Sequence, residues 1–378
     1  MSPRHLQADG QLVSYGGDAK VVATRVEIDR VMSELSGLEA WLRDQVEFGQ
    51  LNNQSSQQVR LALEIPPILE RLSRIRDACG RAADSYFDGE VEISRELRAG
   101  PKLPVPELAS ALAGAGAWFG VLNETNVSAE LVGVAGSVSP PTSIGTLAVR
   151  LSDLGELSSE SSESAWIRIE KFREPASPVS AEAGLVSVAE ARYVVYIPGT
   201  QVWAARPGQN PFDLTSNLSA ISKTGFAGSE RAVALAMKQA GIGADSQVLL
   251  VGHSQGGMIA ANLSKGYAQS KVLTFGAPIS QKEVIAPTLS IEHMDDPVPH
   301  LDAAPNPLRD NWVTVRQKMD GLNPFAQHEM KGYARTAASI DQAAEGPSML
   351  RIRDEIAKFA GSPQATGQAF SFELKREP

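Results

Sequence analysis

Apolar residues recur at steps of three and four through the N-terminal part of the chain, which is the period of an amphipathic helix. One series runs over about residues 21–48, and a second begins after Pro66-Pro67. The two series are Ile28, Val31, Leu35, Leu38, Leu42 and Val46, and then Ile68, Leu72, Ile75, Cys79, Ala82 and Tyr86. A short polar stretch, 50–58, lies between them. The pattern predicts two helices packed as an antiparallel hairpin.

A third helix is predicted to follow this hairpin. Three prolines, at 101, 104 and 106, introduce a stretch rich in glycine and alanine that is compatible with a helix over 105–119. We therefore expect residues 1–125 to form an N-terminal helical domain.

The composition changes after residue 126, where proline and serine become frequent. The serine-rich stretch 158–164 is typical of an exposed linker or hairpin tip. Around it, apolar and β-branched runs predict strands at 143–151, 166–172 and 185–189. This region is expected to form the antiparallel edge of the sheet that follows it.

From residue 193 onward, predicted strands alternate with predicted helices. The strands are 193–197, 248–251, 271–275, 289–292 and 312–315, and the helices are 229–240, 257–268, 332–344 and 347–359. Such alternation predicts the α/β class, with a mostly parallel central sheet covered by helices on both faces. We expect this domain to span residues 126–362, followed by a C-terminal tail at 363–378.

Composition narrows the classes of partner. The chain has 378 residues, 43% hydrophobic and 21% charged, which is ordinary for a soluble globular protein. Its net charge of -9 argues against nucleic acid or an anionic membrane surface as the main partner. With Cys79 as its single cysteine, the chain forms no internal disulfide and no cysteine metal cluster.

Several kinds of binding site and of targeting or membrane segment are not expected from the sequence. No phosphate loop, zinc motif or dinucleotide fingerprint is present, so the sequence implies no metal and no cofactor. No secretory signal opens the chain, and no stretch is apolar for long enough to span a bilayer. We therefore expect a soluble protein without an integral membrane segment.

One stretch carries candidate chemistry. The apolar run 248–251 leads into Gly252-His253-Ser254-Gln255-Gly256-Gly257, and a run compatible with a helix follows. This is the outline of a nucleophile elbow, in which Gly252 and Gly256 are needed because the turn from strand to helix is very tight. Ser254 is then the nucleophile, and the backbone N–H of Gln255 is directed at the oxyanion.

The carboxyl ends of the other predicted strands bring further polar residues to the same edge. The acid of a triad could be Asp295 or Asp296, which follow the strand 289–292. Four histidines near the site compete as the base: His253, His293, His300 and His328. His328 is favoured because it follows the last strand, whereas His253 lies inside the elbow and the other two lie beside the acid. Serine, acid and histidine then occur in the order found in α/β-hydrolases.

The elbow, Thr274-Phe275-Gly276-Ala277-Pro278 and Asp296-Pro297-Val298-Pro299-His300-Leu301 together resemble the class 3 lipase branch of the α/β-hydrolases over about residues 190–340. The resemblance implies Ser254 as nucleophile, Asp296 as acid and His328 as base. Thr200 and Gln255 are implied as the oxyanion donors. Gln255 stands where the family usually has leucine, and Pro198 stands where it usually has arginine before the oxyanion glycine.

What the resemblance implies is a serine hydrolase that cleaves carboxylic esters, lipid esters among them, through an acyl-enzyme. The substrate partner would be a small-molecule or lipid ester. The long connection 202–222 is either a lid over the site or a structural flap.

The N-terminal hairpin carries a second resemblance. Its end, Tyr86-Phe87-Asp88-Gly89-Glu90, is similar to the Tyr-x-x-x-Asp/Glu tail of WXG100-type modules, although Phe48-Gly49 stands in place of their Trp-x-Gly turn. This implies a secretion-system or helical partner and export by a type VII-like route, as against a cytoplasmic location. The alternative function is an exported interaction protein whose hydrolase domain is secondary or vestigial.

Overall fold

The computed structural model describes sixteen segments of the chain. They are residues 6–7, 11–16, 32–44, 65–74, 76–77, 126–159, 163–174, 191–202, 208–213, 216–217, 227–301, 305–307, 309–319, 324–343, 347–359 and 364–377. The predicted third helix at 105–119, the predicted strand at 185–189, the Tyr86–Glu90 motif and Cys79 lie outside these segments. The chain divides into two compact units, one of residues 1–4 and 18–99 and one of residues 5–17 and 100–378.

The first unit contains parts of both helices of the predicted hairpin. Helix α1 covers residues 32–44 and helix α2 covers residues 65–74. Arg76 donates a hydrogen bond from Nη1 to Oε2 of the buried Glu39 across 2.5 Å, which links the two helical segments. The first unit ends at residue 99 and excludes residues 5–17, whereas the predicted helical domain spans residues 1–125.

The second unit is built on one mixed sheet. Its strands are Leu6–Gln7 (β1), Gln11–Gly16 (β2), Val127–Ala135 (β3), Ala165–Arg173 (β4), Arg192–Ile197 (β5), Gln247–His253 (β6), Gln269–Phe275 (β7), Thr288–His293 (β8), Trp312–Gln317 (β9) and Thr366–Arg376 (β10). They lie in the order β1-β2-β9-β8-β7-β6-β5-β4-β10-β3. The central strands β5 to β9 are parallel, and the flanking strands pair antiparallel. The predicted α/β class and the predicted antiparallel flank are thus confirmed.

Helices cover both faces of the sheet. They are Ile144–Ser159 (α3), Gly228–Gln239 (α4), Gln255–Leu263 (α5), Pro324–Gln327 (α6), Met330–Ala343 (α7) and Pro347–Phe359 (α8). Residues of β6 alternate between the two cores, since Val248 and Leu250 pack with α4 and α5 whereas Leu249 and Val251 pack with α3, α7 and α8. A strand that is buried on both faces in this way reads as a continuous apolar run, as the sequence of β6 does.

The predicted strand at 143–151 is wrong, because this stretch is the start of α3. Ile144, Leu147, Ala148 and Leu151 are all buried, and their spacing follows the helical period. Ser143 caps the helix, accepting the backbone N–H of Thr146 at its Oγ across 3.0 Å.

The predicted C-terminal tail at 363–378 is wrong as well, because its residues 366–376 are strand β10, which lies between β4 and β3. Alternate residues such as Phe372 and Leu374 are buried on one face of the sheet. The predicted helical region also begins with two strands, β1 and β2, of which β2 pairs with β9.

Over the described residues, no helix combines the length and the apolar character that crossing a membrane requires.

Candidate active site

Ser254 lies at the sharp turn between β6 and α5. Its φ of 53° and ψ of −119° make it the one residue other than glycine with a positive φ among those described. Its N–H donates to the carbonyl of Phe275 across 2.9 Å, which fixes the turn to the neighbouring strand. A Cβ on Gly252 would lie 2.2 Å from the Gly256 oxygen, and one on Gly256 would lie 2.1 Å from the Ile197 oxygen. Both elbow positions therefore require glycine.

Ser254, His328 and Asp296 form one hydrogen-bonded chain. The Ser254 Oγ lies 2.9 Å from His328 Nε2, and His328 Nδ1 lies 2.6 Å from Asp296 Oδ2. With Nδ1 donating to the carboxylate, Nε2 is the acceptor for the serine proton. Of the two neighbouring carboxylates it is Asp296, fully buried, that meets His328, while Asp295 is half-buried.

The carboxylate of Asp296 is held at both oxygens. Oδ1 accepts the Val298 N–H across 2.9 Å, and Oδ2 accepts the Tyr333 hydroxyl across 2.6 Å as well as His328. Burial opposes ionisation of Asp296, but the hydrogen bonds from His328, Tyr333 and Val298 and the charge of His328 outweigh it. Together they hold the pKa of Asp296 below its usual value. Asp296 is therefore an anion at neutral pH.

Tyr333 is a site residue that the sequence reasoning missed. It is fully buried, it stacks on the His293 ring at a centroid distance of 3.8 Å, and its oxygen accepts the His293 N–H. Gly276 makes room for it: with φ at 57°, a Cβ there would lie 2.8 Å from the Tyr333 oxygen and 3.0 Å from Asp296 Oδ2. The sequence placed Tyr333 at the start of a helix but gave no signal for this contact.

Among the described histidines it is His328 that bonds to the serine oxygen, and the remaining candidates make other contacts. His253 bonds through Nε2 to the backbone oxygen of His328 across 2.8 Å and so fixes the backbone at His328. Burial, with the charge of His328, lowers the pKa of His253 from 6.5 to about 3. The ring nitrogens of His293 bond to Gln327 O and Thr336 Oγ1. Burial and then Arg316 lower the pKa of His300 to about 4. All three are neutral at pH 7.

The two predicted oxyanion donors differ in their surroundings. Helix α5 begins at Gln255, and the N–H groups of Gly257 and Met258 donate to Ser254 O. The Gln255 N–H heads the helix without a partner inside it. Its side chain is buried, with Nε2 3.5 Å from Asp213 O. The hydroxyl of Thr200 accepts Nδ2 of Asn217 across 2.7 Å.

Ser254 and Thr200 open into the same cleft, which has a volume of about 450 Å³. Its described lining is Ser152, Gly155, Glu156, Pro198, Gly199, Thr200, Gln201, His253, Ser254, His328, Glu329, Met330 and Lys331. Lys331 and Glu156 form an exposed ion pair, with Nζ and Oε1 2.6 Å apart. Polar and charged side chains thus outnumber apolar ones along the described walls.

The connection 202–222 is described at residues 202, 208–213 and 216–217. Asn210, Phe212 and Asp213 are buried there, and the N–H groups of Gln201 and Val202 both donate to Phe212 O. This described part is therefore a packed flap rather than a lid.

Across the described residues, no group of three or more His, Cys, Asp or Glu side chains is arranged to hold a metal ion. In comparisons with protein-family models, curated proteins and solved structures, the chain matched none of them.

Proposed function

We propose that this protein is a serine hydrolase of the α/β-hydrolase fold, similar to the class 3 lipases, that cleaves carboxylic esters. One observation carries the proposal: Ser254, His328 and Asp296 form an unbroken hydrogen-bonded chain, with the serine on a strained turn at the carboxyl end of the central strand β6. Backbone strain of this kind persists where the surrounding structure enforces it, and it is concentrated at functional sites.

In the first half of the reaction, Ser254 Oγ attacks the ester carbonyl and its proton passes to His328 Nε2. The imidazolium that results is stabilised by the Asp296 anion, which also keeps the ring in the correct tautomer. The carbonyl oxygen becomes an oxyanion and accepts hydrogen bonds from the Gln255 N–H and the Thr200 hydroxyl. When the tetrahedral intermediate collapses, the C–O bond to the alcohol breaks and His328 returns the proton to the leaving oxygen.

In the second half, water attacks the acyl-enzyme. His328 takes a proton from the water, and the same two donors stabilise the second oxyanion. The bond to Ser254 Oγ then breaks, the serine recovers its proton from His328, and the acid is released. A single imidazole therefore carries both protons: the proton of Ser254 goes to the alcohol, and a proton of the water goes to Ser254.

The cleft favours esters with short acyl groups. A long acyl chain gains about 0.8 kcal/mol for each methylene that it buries against apolar walls. Along the described walls of this cleft, the large apolar contacts are limited to Pro198 and Met330, while Glu156, Gln201 and Lys331 present polar groups. Longer chains should therefore gain little, and a polar alcohol moiety is compatible with the rim.

A series of p-nitrophenyl esters tests this function and its substrate range. We expect turnover of the acetate and butyrate that is lost in Ser254→Ala, and kcat/KM that falls toward the octanoate and palmitate. Equal turnover by Ser254→Ala would contradict the proposed function. Turnover that depends on Ser254 but rises with chain length would contradict only the preference for short acyl groups.

A further inference from the structure

The hydroxyl of Thr200 has its hydrogen-bond direction set by a neighbour. Because Asn217 Nδ2 donates to Thr200 Oγ1 across 2.7 Å, the hydroxyl oxygen is an acceptor in this contact. Its own hydrogen is then free to donate elsewhere, and Thr200 lines the cleft that contains Ser254. An oxyanion donor needs this orientation, so Asn217 prepares Thr200 for it.

Asn217 is in turn fixed by a short turn that starts at Asp213. The Asn217 N–H donates to the Asp213 carbonyl across 3.2 Å, and the Ser216 N–H donates to Asp213 Oδ1 across 2.9 Å. Asp213 is fully buried, so its charge requires a partner. That partner is Arg376, near the end of the last strand β10.

Arg376 is 6% exposed and holds the flap at several points. Its Nη1 donates to Asp213 Oδ2 across 2.6 Å and to the carbonyls of Gly208 and Asn210, and its Nη2 donates to Asp213 Oδ1 and to Ser216 Oγ. The backbone N–H of Arg376 also donates to Gln209 O across 2.7 Å. The fork of an arginine, with several N–H donors, can serve these acceptors together, whereas a lysine ammonium is a single point charge.

We infer that Arg376 is a positioning residue for the oxyanion site, acting through Asp213 and Asn217 on the hydroxyl of Thr200. The inference rests on the proposed function, since it assigns Thr200 the role of an oxyanion donor. It links the C-terminal strand, on the flank of the sheet, to chemistry at the carboxyl end of β6.

The decisive test is a double-mutant cycle between Arg376→Lys and Thr200→Val. Thr200→Val removes the donor, and we expect kcat to fall about 10²-fold to 10³-fold, the usual cost of losing one oxyanion donor. Arg376→Lys keeps the charge near Asp213 but loses the fork, and we expect kcat to fall about tenfold through misplacement of the donor, with little change in KM. In the Thr200→Val background the same lysine substitution should leave kcat unchanged.

Two further variants separate positioning from general stability. Arg150→Lys alters another partly buried arginine, which pairs with Glu170 at 2.6 Å, and we expect it to lower the melting temperature without lowering kcat. Asn217→Asp replaces the amide donor by a carboxylate that attracts the Thr200 hydrogen, so kcat should fall nearly as far as in Thr200→Val. Asn311→Asp, a matched change at an amide that donates to Ile285 O, should retain the original kcat.

If Arg376→Lys does not fold, the same cycle is run with Asp213→Asn, which removes the charge that Arg376 binds and keeps the carbonyl that accepts the Asn217 N–H. A loss of kcat that is additive with Thr200→Val, or no loss at all, would overturn the positioning role while turnover still depended on Ser254. Turnover that survives Ser254→Ala would overturn the proposed function and this inference with it.

Discussion

The ionisation of Asp296 depends on residues that take no part in the proton transfer. Tyr333 and the Val298 N–H both donate to its carboxylate, and Gly276 leaves space for the tyrosine oxygen. Burial, together with the charge of Asp296, raises the pKa of Tyr333 well above its ordinary value, so the tyrosine remains a donor at any working pH. The ionisation of Asp296 is thus adjusted in part by one buried phenol.

Tyr333→Phe tests this adjustment. Removing one donor makes the Asp296 carboxylate more basic, which stabilises protonated His328, so the acidic limb of the pH–rate profile should move to higher pH. We expect kcat to fall by about tenfold, the scale of one hydrogen bond to a charged group. The limb is measured from kcat/KM between pH 5 and pH 9. An unshifted limb with unchanged kcat would contradict a role for Tyr333 in holding the acid.

The sequence could predict some members of the site and not others, for a physical reason. Ser254 lies in a local motif, and Asp296 and His328 follow strands whose carboxyl ends must meet at one edge of a parallel sheet. Tyr333 and Arg376 leave no such mark, because their roles depend on contacts with residues 37 and 163 positions away in the chain. No periodicity or spacing encodes a contact of that kind.

At the scale of secondary structure, the elbow depends on close packing of β6, β5 and α5. The strands of the parallel centre could be predicted because burial on both faces leaves continuous apolar runs. The sequence predicts a strand at the start of helix α3, because this stretch has too few residues to distinguish the helical period of 3.6 from the strand period of two. The sequence analysis does not predict strand β10, although Phe372 and Leu374 alternate with polar neighbours. A strand that lies far from its partners in sequence has no hairpin turn that would indicate it.

Gly256→Ala tests the packing of the elbow. Its new methyl group would lie 2.1 Å from the Ile197 oxygen, in the backbone of β5, so helix or strand must move. We expect a loss of about 3 kcal/mol in the free energy of unfolding and of all turnover. Gly266→Ala is the control, because nothing lies within 4 Å of its added Cβ, and its melting temperature should match that of the unaltered protein. Equal melting temperatures for both variants would contradict the tight elbow.

At the scale of the whole molecule, the fold brings together candidate site residues from four distant stretches of the chain. The loops after β5, β6, β8 and β9 supply Thr200, Ser254, Asp296 and His328, and β10 anchors the flap beside them. Three further histidines, one buried and two half-buried, lie close in the chain to Ser254 or Asp296. His253, His293 and His300 all have pKa values below the ordinary value of histidine, with burial as the main cause.

The depressed pKa values of these histidines predict how the free energy of unfolding depends on pH. Their folded-state pKa values are depressed, so below about pH 6.5 the unfolded chain binds protons that the folded protein does not. The stability that these histidines contribute should be fully present above that pH and should be lost as the pH falls toward their folded-state pKa values, about 4 for His300 and about 3 for His253. Melting temperatures between pH 8 and pH 4 measure this. A flat profile, or an unchanged slope in His300→Gln, would contradict it.

The most direct test of the central claim is covalent labelling of Ser254 by a fluorophosphonate, followed by mass spectrometry of the intact and digested protein. The account predicts one adduct per chain, located on Ser254, absent in Ser254→Ala and formed far more slowly in His328→Ala. A folded protein that stays unlabelled, or an adduct that forms equally fast on Ser254→Ala, would contradict a serine hydrolase with this triad.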